Sequence, residues 1–355
     1  MQVKAEASWE IVDMLLRLVL AVTSLGCFLS PLPAEAQSGR ALNSSCSQPL
    51  QPGQFPLAMQ QSAGGGSPSN QGIKPPGFVS LQDGTLVVHG IDVSKYQDAV
   101  DFKSVYDCGG RFAYVRLSGG ENRDNELLYR THWANVRNAR LLPGPYHNFS
   151  LPAQATSRFR DIPPARLREA LPTLVQLISD SARAQARLFS ERLQEVRSLD
   201  GIGPTDPRKF LPAALDLSYT YSLPNNPDIR QQFADLYSGA VCAFLDELAK
   251  TSYGSEPVVL FTSLQSYATY FANAKCDLNK IRLWIRHRPV DGGSYENGPD
   301  AQIASAICNV ASASRCVLDQ YTSFGGFAIF RVGAPLDLNR FHGSEADLNN
   351  FLIGG

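Results

Sequence analysis

Residues 86–97 read LVVHGIDVSKYQ, an apolar run that ends in an aspartate and a short polar stretch. The apolar character of Leu86–Val93 predicts a strand that is buried on both faces. Asp92 stands near the end of this strand, and the C-terminal ends of the strands carry the reacting groups in a parallel barrel. The stretch therefore predicts the first strand of a β/α barrel, with an acidic side chain at its mouth.

Similar apolar runs recur along the chain and alternate with helical patterns, such as those over Asn125–Arg140 and Asp228–Thr251. Strands separated by helices indicate βα units and a mostly parallel sheet. About eight strands predict an α/β fold, an irregular TIM-like (β/α) barrel over residues 81–355. The further predicted strands are Phe112–Leu117, Gly144–Phe149, Ala213–Leu217, Pro257–Thr262, Ile281–Ile285, Cys316–Tyr321 and Gly326–Val332.

One segment, residues 153–198, interrupts the alternation as a helical insertion. An apolar stripe with helical spacing runs from Leu167 to Val196. We predict that Pro172 divides the segment into two helices. The favoured interpretation is a surface helix packed on the barrel, and the alternative is a lid or a surface that engages a protein partner.

The N-terminal region has the features of an exported protein. Residues 1–36 have the form of a signal peptide, with an apolar run over Met14–Leu29 and a small-x-small site at Ala34–Ala36. A membrane anchor is less favoured because the run is shorter than the ~20 residues of a span, and a lipoprotein acylated at Cys27 is a weaker alternative. Residues 37–80, rich in Gln, Ser, Gly and Pro, predict a flexible tether. We expect a secreted or periplasmic protein with no membrane span once the signal is removed.

Cysteine content and net charge indicate the compartment of the protein and exclude some partners. Six cysteines remain after signal removal, an even set that permits three disulfides in an oxidising compartment, and we expect Cys308 to pair with Cys316 because they are close in sequence. No cysteine or histidine spacing is typical of zinc. The net charge of −1 argues against a nucleic-acid partner. The six are Cys46, Cys108, Cys242, Cys276, Cys308 and Cys316.

Three aspartates suggest chemistry at the barrel mouth. Asp92 and Asp216 lie in apolar strands, and Asp337 lies in the late motif Leu336–Phe341. Glycoside cleavage needs two carboxyl groups across the scissile bond. A single aspartate at a strand end is better explained as a loop cap, but three of them in one barrel favour a site.

These motifs resemble glycoside hydrolase family 25, the Chalaropsis-type muramidases. Gly90–Gln97 resembles the opening motif of the family, and Phe112–Arg116, Asn138–His147 and Leu336–Phe341 resemble later elements in the same order, over about residues 88–352. The resemblance implies a flattened, irregular β/α barrel. It also implies hydrolysis of the β-1,4 bond between N-acetylmuramic acid and N-acetylglucosamine in peptidoglycan, without a metal or organic cofactor.

The resemblance also assigns roles by position. Asp92 matches the first-strand aspartate, Asp216 the first acid of the family's Asp-x-Glu motif, and Asp337 the late aspartate of the cleft, so these three are the predicted catalytic residues. The residues expected to contact substrate are Tyr96, Tyr146, His147, Ser218, Trp284 and Gln320.

Position 218 departs from the family pattern. Ser218 stands where the proton-donating glutamate is expected, and Gly119 stands where a glutamate is common in relatives. Losing a positioned general acid costs on the order of 10²–10⁴ in rate. The sequence is therefore consistent with three functions: a hydrolase with an altered acid arrangement, a non-catalytic peptidoglycan-binding protein, and a scaffold that binds a partner through its insertion.

Overall fold

The computed structural model describes residues 78, 85–161, 163–199, 210–219, 221, 226–286, 307–308, 315–325 and 336–353. The signal peptide predicted over 1–36 lies outside these residues, as does the predicted strand Gly326–Val332. The predicted tether over 37–80 also lies outside them, apart from Phe78. Among the described residues, no helix is both long and apolar enough to cross a membrane.

Eight strands close into one barrel in chain order. Strands β1 to β7 all run in the same direction and pair in parallel with one another in chain order. The eighth strand, β8, closes the barrel and is antiparallel to both β7 and β1. This arrangement confirms the predicted α/β barrel. The strands are β1 (Val87–Val93), β2 (Gly110–Gly119), β3 (Leu142–Asn148), β4 (Ala213–Asp216), β5 (Val258–Thr262), β6 (Arg282–Arg286), β7 (Cys316–Gly325) and β8 (Leu336–His342).

The closing strand β8 determines where the late motif lies. Because β8 is antiparallel, its first residues are at the barrel end where the parallel strands have their C-termini. Asp337, the second residue of β8, is therefore directly opposite Asp92, near the end of β1. The motif that contains Asp337 is itself the eighth strand.

Seven α-helices surround the described barrel or follow it. Helix α6 continues into a π-helical turn over Tyr267–Phe271, and single 3-10 turns occur at Arg123–Asn125 and Leu278–Lys280. The Asn226 side chain caps α5 by accepting the N–H of Ile229. The helices are α1 (Phe102–Asp107), α2 (Tyr129–Asn138), α3 (Ala153–Asp161), α4 (Pro164–Leu199), α5 (Pro227–Leu248), α6 (Leu264–Ser266) and α7 (Glu345–Phe351).

The insertion folds differently from the prediction, which was wrong about Pro172. Helix α4 continues through Pro172 for 36 residues, and the boundary falls between α3 and α4, at Pro163 and Pro164. Proline is favourable in the first turn, where its missing N–H has no helical partner. At Pro172 the exposed ring costs one hydrogen bond, which is offset by the buried stripe on both sides of it.

Alternation along the strands creates two apolar layers. Inside the barrel, Phe112, Tyr114 and Trp284 fill the centre, and Gly90 is required because an added Cβ would lie 2.4 Å from the Phe112 ring. Outside, the strands pack against the helices. The α4 side chains buried in this outer layer are Leu167, Leu174, Ile178, Ala182, Phe189, Leu193 and Val196. The apolar stripe of the insertion is thus covered by its own barrel, as the surface-helix interpretation expects.

Disulfides tie the outer elements to the barrel. Cys308 and Cys316 are bonded, which confirms the expected pair. Cys242 on α5 bonds Cys276, in the segment before β6. Cys108, directly after α1, is also disulfide-bonded.

Candidate active site

A pair of aspartates occupies one side of the barrel mouth. Asp92 is buried, and its carboxyl group is hydrogen-bonded to that of Asp337, which faces it across the β1/β8 ladder. The other contacts of Asp92 are amides. Its Oδ2 accepts hydrogen bonds from Gln320 Nε2 at 3.0 Å and from Asn339 Nδ2 at 2.8 Å.

Trp284 fixes the orientation of one of these amides. The indole Nε1–H, which can only donate, is 3.0 Å from Asn339 Oδ1. The Asn339 nitrogen must then face Asp92. Trp284 is 1% exposed and stacks on Tyr114, so the structure places it beneath the site and not, as predicted, in contact with substrate. Gln320, another predicted contact, is also buried and holds Asp92.

The environment of the pair favours a bound proton. Burial raises the pKa of Asp92 well above its usual range, and the negative charge of Asp337 raises it further. The hydrogen bonds from Asn339 and Gln320 act in the opposite direction. A hydrogen bond between two carboxyl groups needs a proton on one of them. The two groups therefore hold one proton as a unit.

Asp216 occupies a second position on the same rim. It ends β4 and pairs with Asn148, which ends β3. Its Oδ2 accepts a hydrogen bond from Asn148 Nδ2 at 2.6 Å, and its Oδ1 accepts one from the backbone N–H of Ser218 at 2.8 Å. Ser218, which occupies the position where the acid was expected, thus binds Asp216 through its backbone N–H.

Asp92, near the end of β1, and Asp216, the last residue of β4, lie at the same end of the closed barrel. The inward-facing Tyr146 is affected by both groups. Burial raises the pKa of its hydroxyl, the Arg116 charge lowers it, and the charges of Asp92 and Asp216 raise it.

Arg116 and Glu126 form a buried ion pair beside Tyr146. Burial raises the pKa of Glu126, whereas the Arg116 charge and the Lys95 backbone N–H, 2.9 Å from Glu126 Oε2, lower it. Glu126 lies in the loop after β2, away from any strand end, and was therefore not predicted as a site residue. The signal available in the sequence is Arg116, a cation within an apolar strand that needs a counter-charge.

Tyr96 forms an exposed part of the rim. Gln97 Oε1 accepts the N–H of Ser94 at 3.0 Å and closes the turn that presents Tyr96. The Tyr96 side chain is 61% exposed. Its ring centre lies 5.3 Å from the Arg116 guanidinium carbon and 5.4 Å from Lys95 Nζ. The structure thus leaves this aromatic face exposed and edged by two cations, and the predicted contact of Tyr96 with substrate stays a prediction.

His147 departs from its predicted position as a substrate contact. Because Tyr146 and Asn148 point into the barrel, the alternation of β3 turns His147 outward. Its ring is fully buried and stacks on Phe244, with centroids 5.2 Å apart. Burial lowers its pKa to about 4. The structure therefore assigns His147 to the contact between barrel and helices.

A polar network connects His147 to the insertion. Gln185 of α4 accepts the Ser150 N–H through Oε1 and donates to the Ser150 carbonyl through Nε2, which fixes the amide orientation. His147 Nε2, 3.1 Å from that oxygen, must then carry the proton. His147 Nδ1 accepts from the Ser118 hydroxyl at 2.8 Å. Helix α4 is thereby attached to the strand end that carries Asn148.

No group of three or more metal-binding side chains occurs in the parts of the chain that the structure describes. The chemistry available at the mouth is that of carboxyl groups: a proton-holding pair, Asp92 and Asp337, and a separate acceptor, Asp216. This combination defines a class, a lysozyme-like β/α barrel suited to glycan hydrolysis.

Comparison with known proteins shows which family the chain resembles. The model for glycosyl hydrolases family 25 matches residues 91–160, from β1 into α3. Lysozyme M1 of Streptomyces globisporus is 28% identical over 275 residues, which cover 74% of this chain and 71% of that protein. The uncharacterized protein YegX of Escherichia coli K12 is 25% identical over 275 residues, covering 76% and 75% of the two chains. Over residues 91–160, and more weakly over most of its length, the chain is similar to glycosyl hydrolases family 25.

A solved structure supports the fold. The Clostridium perfringens spore cortex lytic enzyme SleM has a TM-score of 0.50 against this chain at 19% identity. The similarity covers 74% of this chain and 69% of SleM.

Proposed function

We propose that this protein hydrolyses the β-1,4 bond between N-acetylmuramic acid and N-acetylglucosamine in peptidoglycan. The observation that carries the proposal is the placement of Asp92, Asp337 and Asp216 at one mouth of the barrel. Two carboxyl functions on either side of a bound sugar are what glycoside cleavage requires.

The two acidic positions have different tasks in this proposal. Asp216 accepts a hydrogen bond on each oxygen and keeps further lone pairs free. It accepts the proton of the attacking water. The Asp92–Asp337 side faces the leaving group, and the exposed Tyr96 ring offers an apolar platform for a sugar face at the rim.

The location of the substrate fits the sequence features of the N-terminus. Peptidoglycan lies outside the cytoplasm, and disulfides persist in oxidising compartments. We propose that residues 1–36 direct export, that residues 37–80 are a tether, and that the mature protein is secreted or periplasmic. Mass determination of the N-terminal peptide of the exported protein tests this, since cleavage after Ala36 is expected.

Ser218 favours a second candidate, a barrel that binds peptidoglycan without cleaving it. The position expected to supply the general acid has a hydroxyl group that holds its proton too tightly near neutral pH. In this case the same mouth serves as a glycan-binding groove.

Purified peptidoglycan separates the two candidates. We expect the wild-type protein to release new reducing ends, and Asp216→Asn to reduce the rate by roughly 10²-fold or more while sedimentation with peptidoglycan is retained. Asp277→Asn, the same change at an exposed ion pair with Lys280, is the matched control and should leave the rate unchanged. Sedimentation without new reducing ends in the wild type would instead support the binding protein. In that case a gain of cleavage by Ser218→Glu would show that the remaining cleft is competent.

A further inference from the structure

The proposed reaction needs a proton for the leaving oxygen, and position 218 does not supply one. We propose that the Asp92–Asp337 pair is the proton source, with Asp337 as the donor and Asp92 as the residue that keeps the proton there. This inference rests on the proposed function and specifies how the same site performs it.

The hydrogen bonds place the proton within the pair. Asp92 Oδ2 already accepts two amide N–H groups, from Gln320 and Asn339, and the Asn339 amide is fixed by Trp284. These amides hold the Asp92 carboxyl in place against Asp337, which faces it across the β1/β8 ladder. The pair shares one proton, and burial of Asp92 keeps that proton in the pair.

The exposure of the two side chains agrees with Asp337 as the proton donor. Asp92 is buried, while Asp337 is only half-buried. Asp337 is thus the more accessible member of the pair and the one better placed to meet a glycosidic oxygen. Asp92 therefore acts as a positioning residue, and Asp337 as the catalytic residue.

The other ionisable groups on the inner face are less suited to donate. Asp216 accepts hydrogen bonds on both oxygens. Glu126 is ion-paired with Arg116, and burial raises the pKa of Tyr146 well above its usual range. Among the described residues of the mouth, the aspartate pair is the acid.

The step balances as follows. The bond between C1 of N-acetylmuramic acid and O4 of N-acetylglucosamine breaks, and O4 takes its electron pair and the proton of Asp337. Water adds its oxygen to C1 and gives a proton to Asp216. Solvent returns that proton to the pair, so the enzyme is regenerated and one water is consumed.

A substrate that needs no acid tests the assignment. We would use a GlcNAc–MurNAc disaccharide with a 2,4-dinitrophenolate leaving group, which departs without protonation, alongside peptidoglycan. We expect Asp337→Asn to slow peptidoglycan cleavage by roughly 10²-fold or more but to slow release of dinitrophenolate by less than about 10-fold. Asp216→Asn should slow both. A uniform loss in Asp337→Asn, or full activity on peptidoglycan, would overturn the assignment.

Two further variants separate this role from a folding defect. Asp337→Asn combined with Ser218→Glu should regain peptidoglycan cleavage, because it restores an acid at the family position. Asp92→Asn should move the alkaline limb of the rate profile to lower pH, since the site then lacks the second carboxyl group that holds the shared proton. An unmoved limb would exclude Asp92 from this role. A wild type that cleaves neither substrate would refute the proposed function itself, and the assignment with it.

Discussion

Asn339 shows how one side chain links the apolar centre of the barrel to its acidic mouth. Its oxygen accepts from Trp284 and its nitrogen donates to Asp92. We expect Asn339→Leu to reduce the free energy of unfolding by about 1–3 kcal/mol, because the indole N–H and the Asp92 carboxyl each lose a buried partner. Urea denaturation measures this change. A variant as stable as the wild type would contradict the account of these two bonds.

Tyr96 allows a prediction about binding. The ring is exposed and makes few contacts that the fold needs, so Tyr96→Ala should change stability by less than about 0.5 kcal/mol. If the ring is a sugar platform, KM for soluble peptidoglycan fragments should rise roughly 5-fold or more, whereas Tyr96→Phe, which keeps the ring face, should be close to wild type. Equal KM values in all three proteins would exclude the platform.

At the scale of residues, the sequence predicted some positions and failed at others for physical reasons. Asp92 and Asp216 were predictable because a charge in an apolar strand needs a partner. His147 was misplaced because neighbouring residues of a strand point to opposite faces, and a motif read as one unit ignores that alternation. Asn148 and Asn339, which orient the aspartates, give no signal of their own until the register is known.

At the scale of elements, the insertion is attached to the site by Gln185. Gln185→Leu removes the partners of the Ser150 backbone and of His147, and should lower the free energy of unfolding by about 1–3 kcal/mol. Gln176→Leu, on the exposed face of the same helix, is the matched control and should stay within about 0.5 kcal/mol of wild type. Similar effects at the two positions would contradict the role of the network.

Replacing Pro172 should stabilise the protein, in contrast to replacing Gln185. Pro172 lies exposed inside α4, where proline is about 3 kcal/mol less favourable than alanine in an isolated helix. Pro172→Ala should therefore raise the melting temperature, because the helix regains one hydrogen bond. Thermal unfolding by circular dichroism checks this, and a lowered melting temperature would indicate that the ring makes a contact the helix needs.

The strands were predictable because short apolar runs bounded by polar residues define them, and most predicted ends agree with β1 to β7 within a few residues. The closing strand β8, Leu336–His342, was not predicted as a strand, because the more continuous apolar run Gly326–Val332 was taken as the eighth strand. Helix α4 was predicted in extent but not in continuity, since local proline chemistry predicts a break and packing along the whole stripe overrides it.

At the scale of the whole molecule, buried histidines make stability depend on pH. Burial lowers the pKa of His147 to about 4, below the value of about 6.5 for an unfolded chain. The unfolded state therefore takes up a proton first as the pH falls, and stability is full above pH 6.5 and is lost toward pH 4. His89, also lowered to about 4 by burial and the Arg340 charge, acts in the same direction. The raised pKa of Asp92 opposes this trend.

His147→Gln isolates one of these contributions. Between pH 6.5 and 5, His147 should account for about 2 kcal/mol of lost stability. The variant should therefore lose about 2 kcal/mol less than the wild type over that interval, whatever its stability at pH 6.5. Urea titrations at the two pH values give both differences. Equal losses in the two proteins would mean that His147 takes up its proton in the folded state as well.

The central claim is that three aspartates at one barrel mouth cut a glycan at muramic acid. The most direct measurement is mass spectrometry of peptidoglycan fragments released by the protein and reduced with borohydride. We expect fragments that end in reduced N-acetylmuramic acid and that are absent with Asp216→Asn. Fragments ending in reduced N-acetylglucosamine, or no fragments at all, would contradict the claim.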